Sequence, residues 1–156
     1  MPGPSPEFSD PRLRRFHDYW RSKRQGDRLP GRQDIDPLEI PDLLPHISIL
    51  DVVGTGAAMR FRFRLVGTAN VRIAGREYTG AFIDDVFDPE DAARMGAAYR
   101  EIVERRKPHY WDNRAAVRGN PPVRYSRLMV PLATDGQTVD MLMGVFFFTD
   151  PPPMAA

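Results

Sequence analysis

Cysteine is absent from the 156 residues. That omission removes disulfide staples, thiolate metal sites, cysteine nucleophiles and any photochemistry that ends in a cysteinyl adduct, so the fold has to stand on packing. A charge excess is missing too. The 22 basic and 21 acidic side chains leave a formal charge of +1, too little to raise the positive field that holds a protein on phosphate backbones or anionic membranes. Neither a nucleic-acid nor a membrane partner is expected. No apolar run approaches the roughly 20 residues needed to cross a bilayer, and the opening MPGPSPEFSD has neither the basic nor the apolar segment of a secretory leader, so the expected compartment is cytoplasmic. Histidine pairs at helical spacing, a Gly-rich phosphate loop and a nucleophile elbow are all lacking.

What is present fits one compact domain. At 42% hydrophobic and 28% charged residues the composition is that of a globular chain, and only its ends depart from it. The proline-rich ends cannot repay ordering entropy with burial, so tails are expected at residues 1–9 and 150–156, with a single domain over 10–149. Three Asp-Pro pairs, Asp10-Pro11, Asp36-Pro37 and Asp88-Pro89, each read as a helix start, because the aspartate can cap orphan backbone donors and proline at the first position has none to lose. The first opens an amphipathic helix with Leu13, Phe16 and Trp20 as its stripe and Tyr19 widening it, stopped by Gly26. Pro41 and Pro45 hold the second to short turns. The third begins a long helix whose apolar face is Ala92, Met95, Tyr99, Ile102 and Val103, with Arg105, Arg106 and Lys107 at its C-terminus and Pro108 closing it.

Five stretches read as strands: HISILDVV, MRFRFRLV, HYWDNRAAV, VRYSRLMVPL and TVDMLMGVFFF. In the second, alternation puts Phe61, Phe63 and Leu65 on one face and Arg60, Arg62 and Arg64 on the other. The last is apolar on both faces, as a central strand covered from both sides would be. Asp135-Gly136 is a hairpin turn. Between the second strand and the long helix the chain leaves the sheet at Gly67, and Thr68 can cap the small-residue segment ANVRIAG. The expected class is α+β, a hairpin and a three-strand meander in one antiparallel sheet.

The segments LPGRQDIDPLEIPDLLPHISILDVV, FRFRLVGT, REYTG and YSRLMVPL, in this order of elements, resemble a stand-alone bacterial family of PAS-like domains, over about Trp20 to Phe148. The resemblance implies a five-stranded antiparallel sheet in the order 2-1-5-4-3, helices over one face and an N-terminal helix over the other. It also implies a sensory or protein-interaction module, commonly a homodimer and usually without catalysis. Flavin-binding relatives that form an adduct carry a cysteine, which this chain lacks, and haem-binding relatives draw a histidine from the long helix, where Pro89 to Arg106 has none. No cofactor is assigned. Output is expected to pass through a signalling partner or through oligomerisation.

A pocket in such a fold lies between the helical segments and the inward face of the sheet. Its wall is expected to draw on Phe63, Leu65, Phe82, Ile83, Tyr99, Trp111 and Met143, each of which also serves as ordinary core. Arg127, the single charge in the middle of its strand, could hold a carboxylate or phosphate if it faces inward with Tyr125; an outward arginine is the commoner fate. Leu13, Phe16, Tyr19 and Trp20 either cover the sheet or mediate a dimer, since so wide a stripe is costly to leave wet. The alternating arginines read as an ion-paired outer face or an anion-binding ridge. The function expected is a signalling module that binds a small apolar or amphipathic ligand, or a protein partner, without transforming it. A ligand-free adaptor is the rival, and a small isomerase- or hydrolase-like enzyme using His109 and Asp112 is the third reading, although their odd spacing points them to opposite faces of a strand.

Overall fold

The computed structural model describes Phe8 and residues 10–150, with side chains through Phe148. The remainder of the expected tails lies outside the described residues. Phe8 packs edge-on against Tyr110, ring centres 5.1 Å apart, and tilts against His17.

Helix α1 (Pro11–Ser22) starts as the sequence predicts: the Asp10 carboxylate accepts from the Arg12 backbone N–H, and Pro11 takes the first position. It ends at Ser22, short of Gly26. Asp36 caps the turn at Pro37–Glu39 in the same way, but Asp88 makes no side-chain cap for the long helix. Asp91, one turn in, instead accepts from the Ala116 backbone N–H at 2.8 Å.

Strands β1 (Ile47–Val53) and β2 (Arg60–Val66) form a hairpin. The short helices α2 (Thr68–Ala74) and α3 (Ile83–Val86) and the long α4 (Pro89–Arg105) come next. Strands β3 (His109–Ala115), β4 (Val123–Leu132) and β5 (Met141–Asp150) complete one sheet in the order β2-β1-β5-β4-β3, every pair antiparallel. The arginine–phenylalanine hairpin and the Asp-Gly hairpin thus share one layer, with β1 and β5 adjacent near its middle.

The two faces of this layer carry different covers. Helices α2 to α4 lie over the inner face, and α1 lies over the outer one, where Leu13, Phe16 and Trp20 are buried in a cluster with Ile47, Val130 and Val145. The Trp20 indole Nε1–H donates to the carbonyl of Pro131 at 2.9 Å, pinning the helix to β4. The apolar stripe of α1 is therefore spent on its own sheet rather than offered to a second copy. Tyr19, half-buried at its edge, accepts from the Asp36 backbone N–H and donates to Glu39.

The alternation expected along β2 fails at one point. A bulge opposite Ile49 and Leu50 inserts Arg64, so that Phe63 pairs with Leu50 but Leu65 pairs with Ile49. Such an extra residue switches the faces of the residues beyond it. Leu65 is 39% exposed, and Arg62 and Arg64 meet on the same carboxylate, Asp51, at 3.5 and 2.9 Å. Arg60 pairs with Asp84 and stacks on Phe82, 3.7 Å from the ring centre.

Gly67 marks the seam between sheet and helices. Its φ of −64° is open to any residue; what forbids a side chain there is space, since a Cβ would lie 2.4 Å from the Pro45 oxygen and 2.8 Å from that of Ile47. The Gly67 N–H donates to Ile47 O at 2.6 Å, so α2 springs directly from the sheet edge. Among the described residues no helix is long and apolar enough to cross a membrane, and no three histidine, aspartate or glutamate side chains are grouped to hold a metal ion.

Candidate functional site

Between the inner sheet face and α2 and α4 lies a cavity of about 40 Å³. It is narrow but large enough for more than one water. Phe63, Phe146 and Tyr125 come from the sheet, Met95 and Tyr99 from α4, Asn70 and Ala74 from α2, and Tyr78 from the loop after it. The rings interlock edge to face: Phe63 with Tyr78 at 4.7 Å, and Phe61 with Tyr99 at 5.4 Å. Burial drives the phenol pKa values of Tyr78, Tyr99 and Tyr125 upward, so all three stay protonated.

Of the residues singled out from the sequence, Phe63, Tyr99 and Tyr125 line this cavity; the others lie elsewhere. Leu65 is turned away by the bulge. Phe82 lies beneath Arg60 beside β2. Ile83 is buried under α4 and borders a separate surface cleft near Arg60 and Arg100. Met143 pairs with Ile49 and Val130, on the face that α1 covers. Arg127 pairs with Trp111 and with Phe146 on the inner face, but neither Trp111 nor Arg127 lines the cavity.

Arg127 is fully buried, with an exposure of 0%. Its Nη1 donates to the His109 carbonyl at 2.9 Å, Nη2 lies 3.2 Å from His109 Nδ1, and Nε has no partner among the described residues. Desolvation lowers the pKa of the guanidinium, while Tyr99 and Tyr125 beside it act in the opposite sense. Burial first, and then the Arg127 charge, lower the His109 pKa; a neutral imidazole leaves Nδ1 free to accept. Asp112 meanwhile bonds Ser126 Oγ and the Tyr110 hydroxyl across the other face. His109 and Asp112 are not brought together.

Sequence reasoning missed Asn70 and Ser48. Asn70 is the lone polar side chain on the buried side of TANVRIA, and that isolation was a readable signal. Its Nδ2 donates to Ser48 Oγ at 3.0 Å and to the His46 carbonyl at 3.3 Å, while Oδ1 is buried without a partner. On the far side of the sheet the His46 ring packs on Phe147, centres 4.6 Å apart.

Comparison with known proteins agrees with this geometry. A family model described as PAS domain matches residues 8–147. Among solved structures, the PAS domain of a Colwellia psychrerythraea protein is 12% identical with a TM-score of 0.55, covering 74% of this chain and 98% of that one. A Rhodobacter sphaeroides LOV protein is 12% identical with a TM-score of 0.53, over 74% of this chain and 69% of the other. The Drosophila melanogaster Cycle PAS-B domain with bound glycerol is 12% identical with a TM-score of 0.51, over 65% and 97%. No curated protein matches the chain.

Proposed function

Since this chain belongs to the PAS domain family, we propose that it is a sensory module whose input is a small apolar or amphipathic molecule, held unchanged in the cavity between the inner sheet face and helices α2 and α4. One observation carries this reading. The cavity walls are aromatic and aliphatic, yet Asn70, which lines them, keeps a buried Oδ1 with no donor. An acceptor left so costs about 1–3 kcal/mol, and a ligand donor relieves it.

Occupancy favours one packing of α2 and α4 over others, a shift of population that changes the surface seen by a second copy or a signalling protein. With the stripe of α1 buried, a homodimer would form through other surfaces, and sedimentation velocity reads whether it forms. Native mass spectrometry of freshly purified protein tests the ligand itself: an excess mass that denaturation releases is expected. Bare mass, with no small molecule raising the melting temperature, favours the second reading, a ligand-free interaction adaptor. The small volume of the cavity, about 40 Å³, is the observation on that side.

A further inference from the structure

Within the reading of the cavity as a ligand site, we infer that the ligand is a small organic acid, its carboxylate received by the hydroxyls of Tyr99 and Tyr125 with the buried Arg127 guanidinium near them.

Arg127 has no counter-ion among the described residues. Buried arginines are ordinarily paired with carboxylates, but among the described residues the groups that hold this one are a carbonyl, a neutral imidazole and aromatic faces. The Tyr99 ring centre lies 5.4 Å from the guanidinium carbon, Tyr125 stands two residues before Arg127 on the same face of β4, and both tyrosines line the cavity while Arg127 does not. Neither phenol hydroxyl donates to an acceptor among the described residues. Two phenol protons opening on an apolar cavity, with a buried cation near them, form a receptor for a carboxylate.

The opposite wall is of the other polarity. Asn70 Oδ1 requires a donor, so the ligand carries a hydroxyl or amine away from its acid group, with an apolar body between.

Calorimetry on the full chain at pH 7.5, with benzoate against benzamide and butyrate against butyramide as probes, tests this. The acids are expected to bind at least about tenfold more tightly than their amides, and the doubly substituted Tyr99→Phe, Tyr125→Phe protein to lose that preference while still binding the amides. Arg127→Met gives the same readout from the other side of the contact. Equal affinity for acid and amide overturns the acid and leaves the cavity a ligand site. A preference that survives both variants places the anion elsewhere and overturns the receptor. No binding of any probe overturns the ligand site itself.

Discussion

The guanidinium carbon of Arg127 stands 4.2 Å from the centre of the Trp111 ring and 5.4 Å from that of Tyr99, a cation enclosed between aromatic faces with a carbonyl as its hydrogen-bond partner. Burying that charge is expensive, and its contacts repay only part of the cost. Arg127→Met, which keeps the length of the side chain and discards the charge, is expected to leave unfolding free energy within about 1 kcal/mol of the parent or to raise it. Urea titration reads this. A loss well beyond that range would make the guanidinium a structural strut rather than part of a receptor.

Trp20 joins α1 to the sheet by area and by one hydrogen bond. Trp20→Ala should cost about 3–5 kcal/mol, enough to threaten folding at moderate temperature. Trp20→Phe keeps most of the ring but leaves the Pro131 carbonyl without its donor, and should cost less, about 1–3 kcal/mol. Equal losses for the two would mean that the hydrogen bond carries the whole effect, against the packing seen here.

Gly67→Ala tests the seam between β2 and α2. Because the added methyl meets backbone oxygens rather than flexible side chains, the neighbours cannot yield cheaply, and a loss of about 1–3 kcal/mol is expected. Gly75→Ala serves as the contrast: nothing lies within 4 Å of its added Cβ, and only the strained φ of 74° opposes it. If Gly67→Ala melts like the parent, the close approach of Pro45 is not real.

Histidine sets the acid limb of stability. Burial lowers the folded-state pKa values of His17, His46 and His109, against an unfolded value of about 6.5. Below that pH the unfolded chain takes up protons that the folded one refuses, so stability falls as pH drops from neutrality through 6.5 toward the folded-state values, and is level above it. Burial is the largest cause at both His17 and His46; Arg21 and Arg14 around His17 and Arg12 near His46 act with it, and Asp18 and Asp10 act against it. The urea midpoint should therefore be lower at pH 5.5 than at 7.5, and the difference smaller in a His17→Gln, His46→Gln protein. An unchanged midpoint in the parent would contradict the burial of these rings.

The sheet was legible because its signals were redundant. Phe61 and Phe63 alternate with arginines, Asp135-Gly136 turns the chain, and MLMGVFFF is apolar on both faces, as the central β5 must be. The candidate site was legible only where a single rule governed. Phe63, Tyr99 and Tyr125 obey periodicity, whereas Leu65 does not, because one inserted residue opposite Ile49 reversed its face and no local feature of RFRFRLV announces a bulge. Met143 shows a related failure: in a strand apolar on both sides, pattern alone cannot say which side a residue takes. Arg127 was foreseen as a conditional, and only the ladder with Phe146 resolves it inward. Asn70 stands out in the sequence as the lone polar side chain on the apolar side of TANVRIA, but its pairing with Ser48 on β1 is a tertiary fact.

His46 serves two layers at once. Its carbonyl holds Asn70 on one side of the sheet, and its ring bears on Phe147, where α1 is seated, on the other. The short turn at Leu44–His46 is thus common footing for both covers of the sheet: one residue fastens α2 to the inner layer by its backbone and fills space under α1 on the outer layer with its ring.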